Sequence, residues 1–122
     1  MPRVVHFEIP ADDPDRATKF YSKLFGWTIS KWEGPMDYWM IFSGNGEPGI
    51  DGAITKREEP VTSVVNTISV PSVDEFMEKV TAHGGKVIMP KTTVPGVGYF
   101  TYCLDTEGNM FGIIENDESA QM

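Results

Sequence analysis

The run RVVHFEIPADDPDRATKFYSKLFGW, residues 3–27, decides the fold. It opens with alternation. Val5, Phe7 and Ile9 interleave with Val4, His6 and Glu8, the period of two that a half-buried strand requires, so Arg3 to Pro10 reads as a strand. The chain then turns at Ala11-Asp12-Asp13-Pro14. Asp13 suits an N-cap, and Pro14 suits the first helical position, where a missing N–H costs nothing. Ala17, Phe20, Tyr21 and Leu24 follow at helical spacing, and Gly26 closes the helix.

Strand-like segments follow at Trp27 to Trp32, Tyr38 to Ser43 and about Ile50 to Lys56, separated by turns at Gly34-Pro35 and Gly44 to Gly49. The same plan then recurs. Ser63 to Val70 reads as a strand. Ser72 with Glu75 three positions on forms a capping-box pattern, Val73, Phe76, Met77 and Val80 make an apolar stripe, and Gly84-Gly85 end the helix. Strands follow at Lys86 to Pro90, Gly98 to Leu104 and Met110 to Glu115. The last two are joined by the turn Asp105-Thr106-Glu107-Gly108-Asn109. The order β-α-β-β-β thus appears twice. Val4-Val5-His6 echoes Val64-Val65-Asn66, and Phe20 to Leu24 echoes Phe76 to Val80, which argues for internal duplication. The expectation is one α+β domain over 1–122, with half one about 3–58, half two about 62–115, and a polar, frayed tail at 116–122.

Composition bounds the function. A chain of 122 residues, 40% hydrophobic and 23% charged, is an ordinary globular domain. Its formal net charge of −8 repels phosphate backbones and argues against nucleic acid as a partner. No apolar stretch approaches the ~20 residues of a membrane span, and Met1 to His6 lacks the apolar run of a signal peptide. Cys103 is a lone thiol, so the expected compartment is the reducing cytoplasm, and the expected state of the thiol is buried and structural.

Several stretches resemble the vicinal oxygen chelate superfamily, the glyoxalase/bleomycin resistance protein/dioxygenase family. They are Asp13-Pro14 with Phe20-Tyr21 and Leu24-Phe25-Gly26-Trp27, then Gly84-Gly85-Lys86-Val87, Pro95 to Phe100, and Asp105 to Gly112, with Thr106 where the family usually has proline. The resemblance covers residues 3–115. It implies two βαβββ modules forming a cupped mixed sheet with helices on the outer face, and a homodimer. It also implies a single divalent metal in the family's enzymes, held by His or Glu from the first and last strands of each half.

Four positions would carry those ligands. His6 stands ahead of Phe20-Tyr21 at the family's spacing. Its second-half counterpart falls at Val65, or at Asn66 after a slip of one. The last-strand position falls at Gly112, which has no side chain. The region Ile50 to Ala53 offers only Asp51, in an open register. Imidazole and carboxylate suit zinc, nickel, iron and manganese, but three or four ligands cannot be assembled from these strands. No metal or other cofactor is therefore expected, with His6 the one candidate ligand. His83, at the end of the second helix, reads as an imidazole favoured by the helix dipole.

The aromatic residues on or beside strands point to a pocket instead, because alternation sends about half of them to the cavity face. Phe100, Tyr102 and Leu104 share one face. Met110 and Gly112 share the face of the family's terminal ligand, and glycine there opens space. The expected ligand pocket is His6, Glu8, Trp39, Phe100, Tyr102, Met110 and Gly112. The leading reading is a metal-independent protein that binds a small organic molecule. One alternative is a metal-dependent lyase or isomerase of the glyoxalase type, or a dioxygenase-like enzyme, with the metal at His6 and Glu8 and Glu8 as the candidate catalytic base. Another is a non-catalytic module whose pocket is vestigial.

Overall fold

The strand and helix signals resolve into eleven elements in the computed structural model, which describes residues 1–34 and 36–121. Pro35, in the expected Gly34-Pro35 turn, and Met122 lie outside the described residues. The first βαβββ module is β1 (Arg3–Ala11), α1 (Pro14–Phe25), β2 (Thr28–Lys31), β3 (Tyr38–Phe42) and β4 (Asp51–Lys56). The second is β5 (Val65–Ser69), α2 (Val73–Ala82), β6 (Lys86–Val87), β7 (Thr92–Val94), β8 (Gly98–Leu104) and β9 (Met110–Asn116). The α+β class is as expected, and the second module repeats the order of the first with one strand, β7, added. Contacts group into two compact units: His6–Val65 is the first, and Met1–Val5 with Asn66–Met122 is the second.

In the first unit, α1 begins where the sequence demands. The Asp13 side chain accepts a hydrogen bond from the Arg16 backbone N–H at 3.1 Å, and Pro14 follows it. Gly26, at φ 74°, ends the helix and donates its N–H to the Ser22 carbonyl at 2.9 Å. The strands lie in the order β2-β3-β4-β1. β1 and β4 run parallel, as a crossover connection requires, while β2, β3 and β4 pair antiparallel. Ala17 and Tyr21 of α1 pack with Phe7, Ile9, Ile29 and Trp39 around buried Ala11, Ile41 and Ile54. Burying isoleucines such as Ile41 and Ile54 contributes roughly 1.5–3 kcal/mol each.

The second unit repeats this geometry. β5 runs parallel to β9, β9 pairs antiparallel with β8, and β6 and β7 both pair with β8. Ser72 caps α2 by accepting from the Glu75 N–H at 3.1 Å, as the capping-box pattern predicted, but the Glu75 side chain pairs with Lys79 at 3.2 Å. A carboxylate from β9 serves α2 as well: Glu115 Oε1 accepts from the Val73 N–H at 3.0 Å. Phe76, Met77 and Val80 pack over buried Val70, Val73, Cys103 and Ile113.

Two expectations are corrected here. β7 was not foreseen. The strand expected over Lys86 to Pro90 ends at Val87, and pairing along β8 resumes at Thr92 after the Pro90 interruption. Residues 117–120 of the tail are hydrogen-bonded rather than frayed. Asp117 donates its N–H to the Val97 carbonyl at 2.8 Å, Ala120 returns a hydrogen bond to the Asp117 carbonyl at 3.0 Å, and Ala120 is buried. The Asp117 carboxylate also accepts from the Ser119 N–H and hydroxyl and from the Tyr99 hydroxyl.

Candidate functional site

Alternation along β1 divides its side chains between two faces. Phe7, Ile9 and Ala11 join the core under α1. His6, Glu8 and Pro10 therefore point away from α1, and register carries this face across the unit. On β4 the facing residues are Asp51 opposite His6, Ala53 opposite Glu8 and Thr55 opposite Pro10. On β3, Tyr38 lies opposite Thr55 and Met40 opposite Ala53.

A hydrogen-bonded cluster sits in the middle of this face. His6 Nε2 and Tyr38 Oη are 2.6 Å apart, with the two rings stacked at 12° and 6.1 Å between centroids. The Tyr38 hydroxyl also bonds the Glu8 side chain. Tyr38 starts on β3 in the row of Thr55 and reaches His6 on β1 in the row of Asp51, so its side chain crosses β4 over Ala53, which has no exposed surface. Glu8 is buried at 5% exposure, and Thr55 Oγ1 is buried without a hydrogen-bond partner among the described residues. Asp51 stands beside His6 and is fixed by Ser43, whose N–H and hydroxyl donate to its Oδ1 at 2.9 and 3.1 Å. Met40 and Phe42 leave apolar surface exposed along β3.

The electrostatics follow from burial. Desolvation pulls the His6 imidazole below its ordinary value, against the opposing pull of the Asp51 carboxylate. His6 is therefore neutral at pH 7. Desolvation, then the Glu8 charge and its hydrogen bond, push the Tyr38 phenol far above its ordinary value, so Tyr38 keeps its proton. The cluster thus offers a neutral imidazole, a protonated phenol, a buried carboxyl and an unsatisfied threonine hydroxyl beside an apolar flank. Such a face can orient a small molecule and exchange protons with it.

The expected site residues divide between the units. His6 and Glu8 are brought together. Trp39 is not with them: it pairs with Ile54 and packs on the α1 side, with Lys31 Nζ 5.4 Å from its ring centroid. Its neighbour Tyr38 takes the place the sequence reading assigned to it. In the second unit, Phe100, Tyr102, Met110 and Gly112 do share one face, since Phe100 pairs with Ile114, Tyr102 with Gly112 and Leu104 with Met110. Gly112 does not open space. A side chain there would meet Thr67 Oγ1 at 2.8 Å, because Thr67 fills that volume from β5. Val65, not Asn66, shares the face of Thr67, as Asn66 pairs with Phe111 on the helix side.

The donor set does not fit a superfamily-type metal centre. Val65 and Gly112 present no donor, and the Nε2 atom of His6 is taken up by Tyr38. Among the described residues no group of three or more His, Cys, Asp or Glu side chains is arranged to hold an ion. Cys103 is fully buried, and burial pushes its thiol up to about 11. A groove of about 440 Å³ opens on the helix side of the second unit, lined by Phe76, Val80, Leu104 and Phe111 together with the exposed Lys79, His83, Asp105 and Thr106. Its apolar walls carry no buried polar group that would orient a ligand.

Comparison with known proteins agrees with this fold. The sequence profile described as the Glyoxalase/Bleomycin resistance protein/Dioxygenase superfamily matches residues 3–113. A glyoxylase-like domain-containing protein of Didymella fabae is 36% identical over 112 residues, covering 87% of this chain and 88% of its own. A superfamily member from Vibrio splendidus aligns with a TM-score of 0.67 at 16% identity, covering 96% of this chain and 100% of its own. Methylmalonyl-CoA epimerase from Mycobacterium tuberculosis aligns with a TM-score of 0.67 at 12% identity, covering 93% and 87%. At those identities the two solved structures speak for the fold alone.

Proposed function

The chain belongs to the Glyoxalase/Bleomycin resistance protein/Dioxygenase superfamily, and from that premise we propose that it binds a small organic molecule, without a resident metal, on the first-unit sheet face opposite α1. The observation that carries the reading is the 2.6 Å contact between His6 Nε2 and Tyr38 Oη, which ties His6 into an organic hydrogen-bonded cluster with Glu8. Met40 and Phe42 supply the apolar contact area beside it. The net charge of −8 favours cationic or neutral ligands over anionic ones.

The same reading makes the protein a cytoplasmic homodimer. α1 leaves Phe20, Leu24 and Phe25 more than half exposed, which is apolar surface a second copy can cover. Sedimentation that finds only monomer overturns the dimer. The second reading, a glyoxalase-like lyase or a dioxygenase-like enzyme with a metal at His6 and Glu8, draws on the shared face of those two side chains.

The deciding experiment strips the protein with chelator and follows thermal unfolding against zinc, nickel, manganese and iron(II), and against a small-molecule panel. A ligand at a hundred times its Kd stabilises by about 2.7 kcal/mol. Organic ligands that stabilise the wild type and not His6→Ala support the proposal. A metal shift that disappears in His6→Ala sinks the metal-free reading.

A further inference from the structure

We infer that Tyr38 is a positioning residue that fixes His6 as its Nε2–H tautomer, leaving Nδ1 bare as the acceptor for a ligand that brings an O–H or N–H donor. This rests on the reading of the His6 face as the binding site. A count of protons decides the tautomer. A phenol has one proton to donate and an oxygen that accepts. Tyr38 is hydrogen-bonded to Glu8 as well as to His6, and an ionised carboxylate can only accept, so the Tyr38 proton is assigned to Glu8. The 2.6 Å contact at His6 must then be made by the other available proton, the one on Nε2. A neutral imidazole carries only one N–H, so Nδ1 is left with a lone pair. Among the described residues, Nδ1 makes no hydrogen bond.

This order of protons also accounts for the poor fit to a metal. A histidine ligating through Nε2 must present a lone pair there, whereas this Nε2 faces the tyrosine oxygen with its proton. Ala53 makes the arrangement possible, because only a small residue on β4 lets Tyr38 cross from β3 to β1. The adjacent Asp51 carboxylate favours a donor that is positively charged, and Met40 and Phe42 favour one on an apolar stem. The ligand class is therefore an apolar amine or alcohol, not a molecule whose only polar group is a carbonyl.

The test uses imidazole ¹⁵N labelling and long-range ¹H–¹⁵N spectra at pH 7.5, with His6 distinguished from His83 by the His6→Gln variant. The expected result is a slowly exchanging Nε2–H on His6 that becomes fast-exchanging in Tyr38→Phe and in Ala53→Leu, the second of which keeps the hydroxyl but displaces it. A proton on Nδ1 in the wild type, or an Nε2–H indifferent to both variants, overturns the inference without reference to any ligand. Benzylamine and benzyl alcohol are then compared with acetophenone. Binding of a donor probe at least ten-fold tighter than acetophenone, with a shift of His6 Nδ1, supports the ligand class. Equal binding overturns that class and leaves the binding-site reading standing. No saturable binding by any of the three overturns the binding-site reading, while the wild-type tautomer still decides the role of Tyr38.

Discussion

Thr67 occupies the volume that a side chain at position 112 would need, its Oγ1 lying 2.8 Å from where a Cβ on Gly112 would stand. The two residues are paired across β5 and β9, so an added methyl at 112 forces either the Thr67 side chain or a strand to shift.

Gly112→Ala should therefore destabilise the protein by about 1–3 kcal/mol through overpacking. Thr67→Ala in the same chain should recover part of that loss. Urea denaturation of the two single variants and the double variant measures the coupling. Additive losses would show that the two sites do not meet.

The His6 environment predicts a dependence of stability on pH. Burial lowers the folded-state imidazole below its ordinary value of 6.5, so between the folded and unfolded values the unfolded chain binds more protons. Stability attributable to neutral His6 is complete above about pH 6.5 and is lost as pH falls through the lower folded value. The unfolding free energy of the wild type relative to His6→Gln should fall between pH 7.5 and pH 5. A constant difference over that range would contradict the burial argument.

Ala53→Leu tests the floor beneath Tyr38. Two added branches at a position with no exposed surface should cost about 1–3 kcal/mol. Tyr38→Phe removes a hydroxyl from the same cluster and should cost on the order of 1 kcal/mol, with Glu8 and His6 each losing a partner. Thermal unfolding of both variants gives the comparison. A neutral Ala53→Leu would mean that Tyr38 reaches His6 by another path.

Cys103 should resist thiol reagents. Its thiol lies within the core under α2 and is raised to about 11 by burial, so little thiolate forms at pH 8. Labelling by a disulfide reagent should be slow in the folded state and rapid in denaturant. Fast labelling of the folded protein would place Cys103 nearer to solvent.

How far the sequence foretold these features depended on whether a segment carried contrast. β1 alternates apolar with polar side chains, so His6 and Glu8 fell on their shared face at once. Asp13, Gly26 and Ser72 announced helix ends by their capping chemistry. β3 is different. Tyr38-Trp39-Met40-Ile41-Phe42 contains no charged or strongly polar residue, so the period of two has no phase to read. Pairing of Trp39 with Ile54 sets that phase, and the sequence alone does not contain the pairing. The available hint was Ile41, which places Trp39 with the aliphatic residues and Tyr38 opposite them. Thr67 was invisible for a related reason: nothing local reveals which neighbour fills the space above a glycine. β7 was hidden because Pro90 and Pro95 bracket it and make it look like loop.

The two halves share an order of elements, yet they have parted company in chemistry. On the first, a histidine, a tyrosine and a glutamate occupy the sheet face. On the second, the matching strand positions hold Val65 and Gly112. A duplication that concentrates its proton-bearing groups in one copy frees the other from that duty. The ligand-type positions of the second half are thus settled by packing, Thr67 against Gly112, rather than by donors.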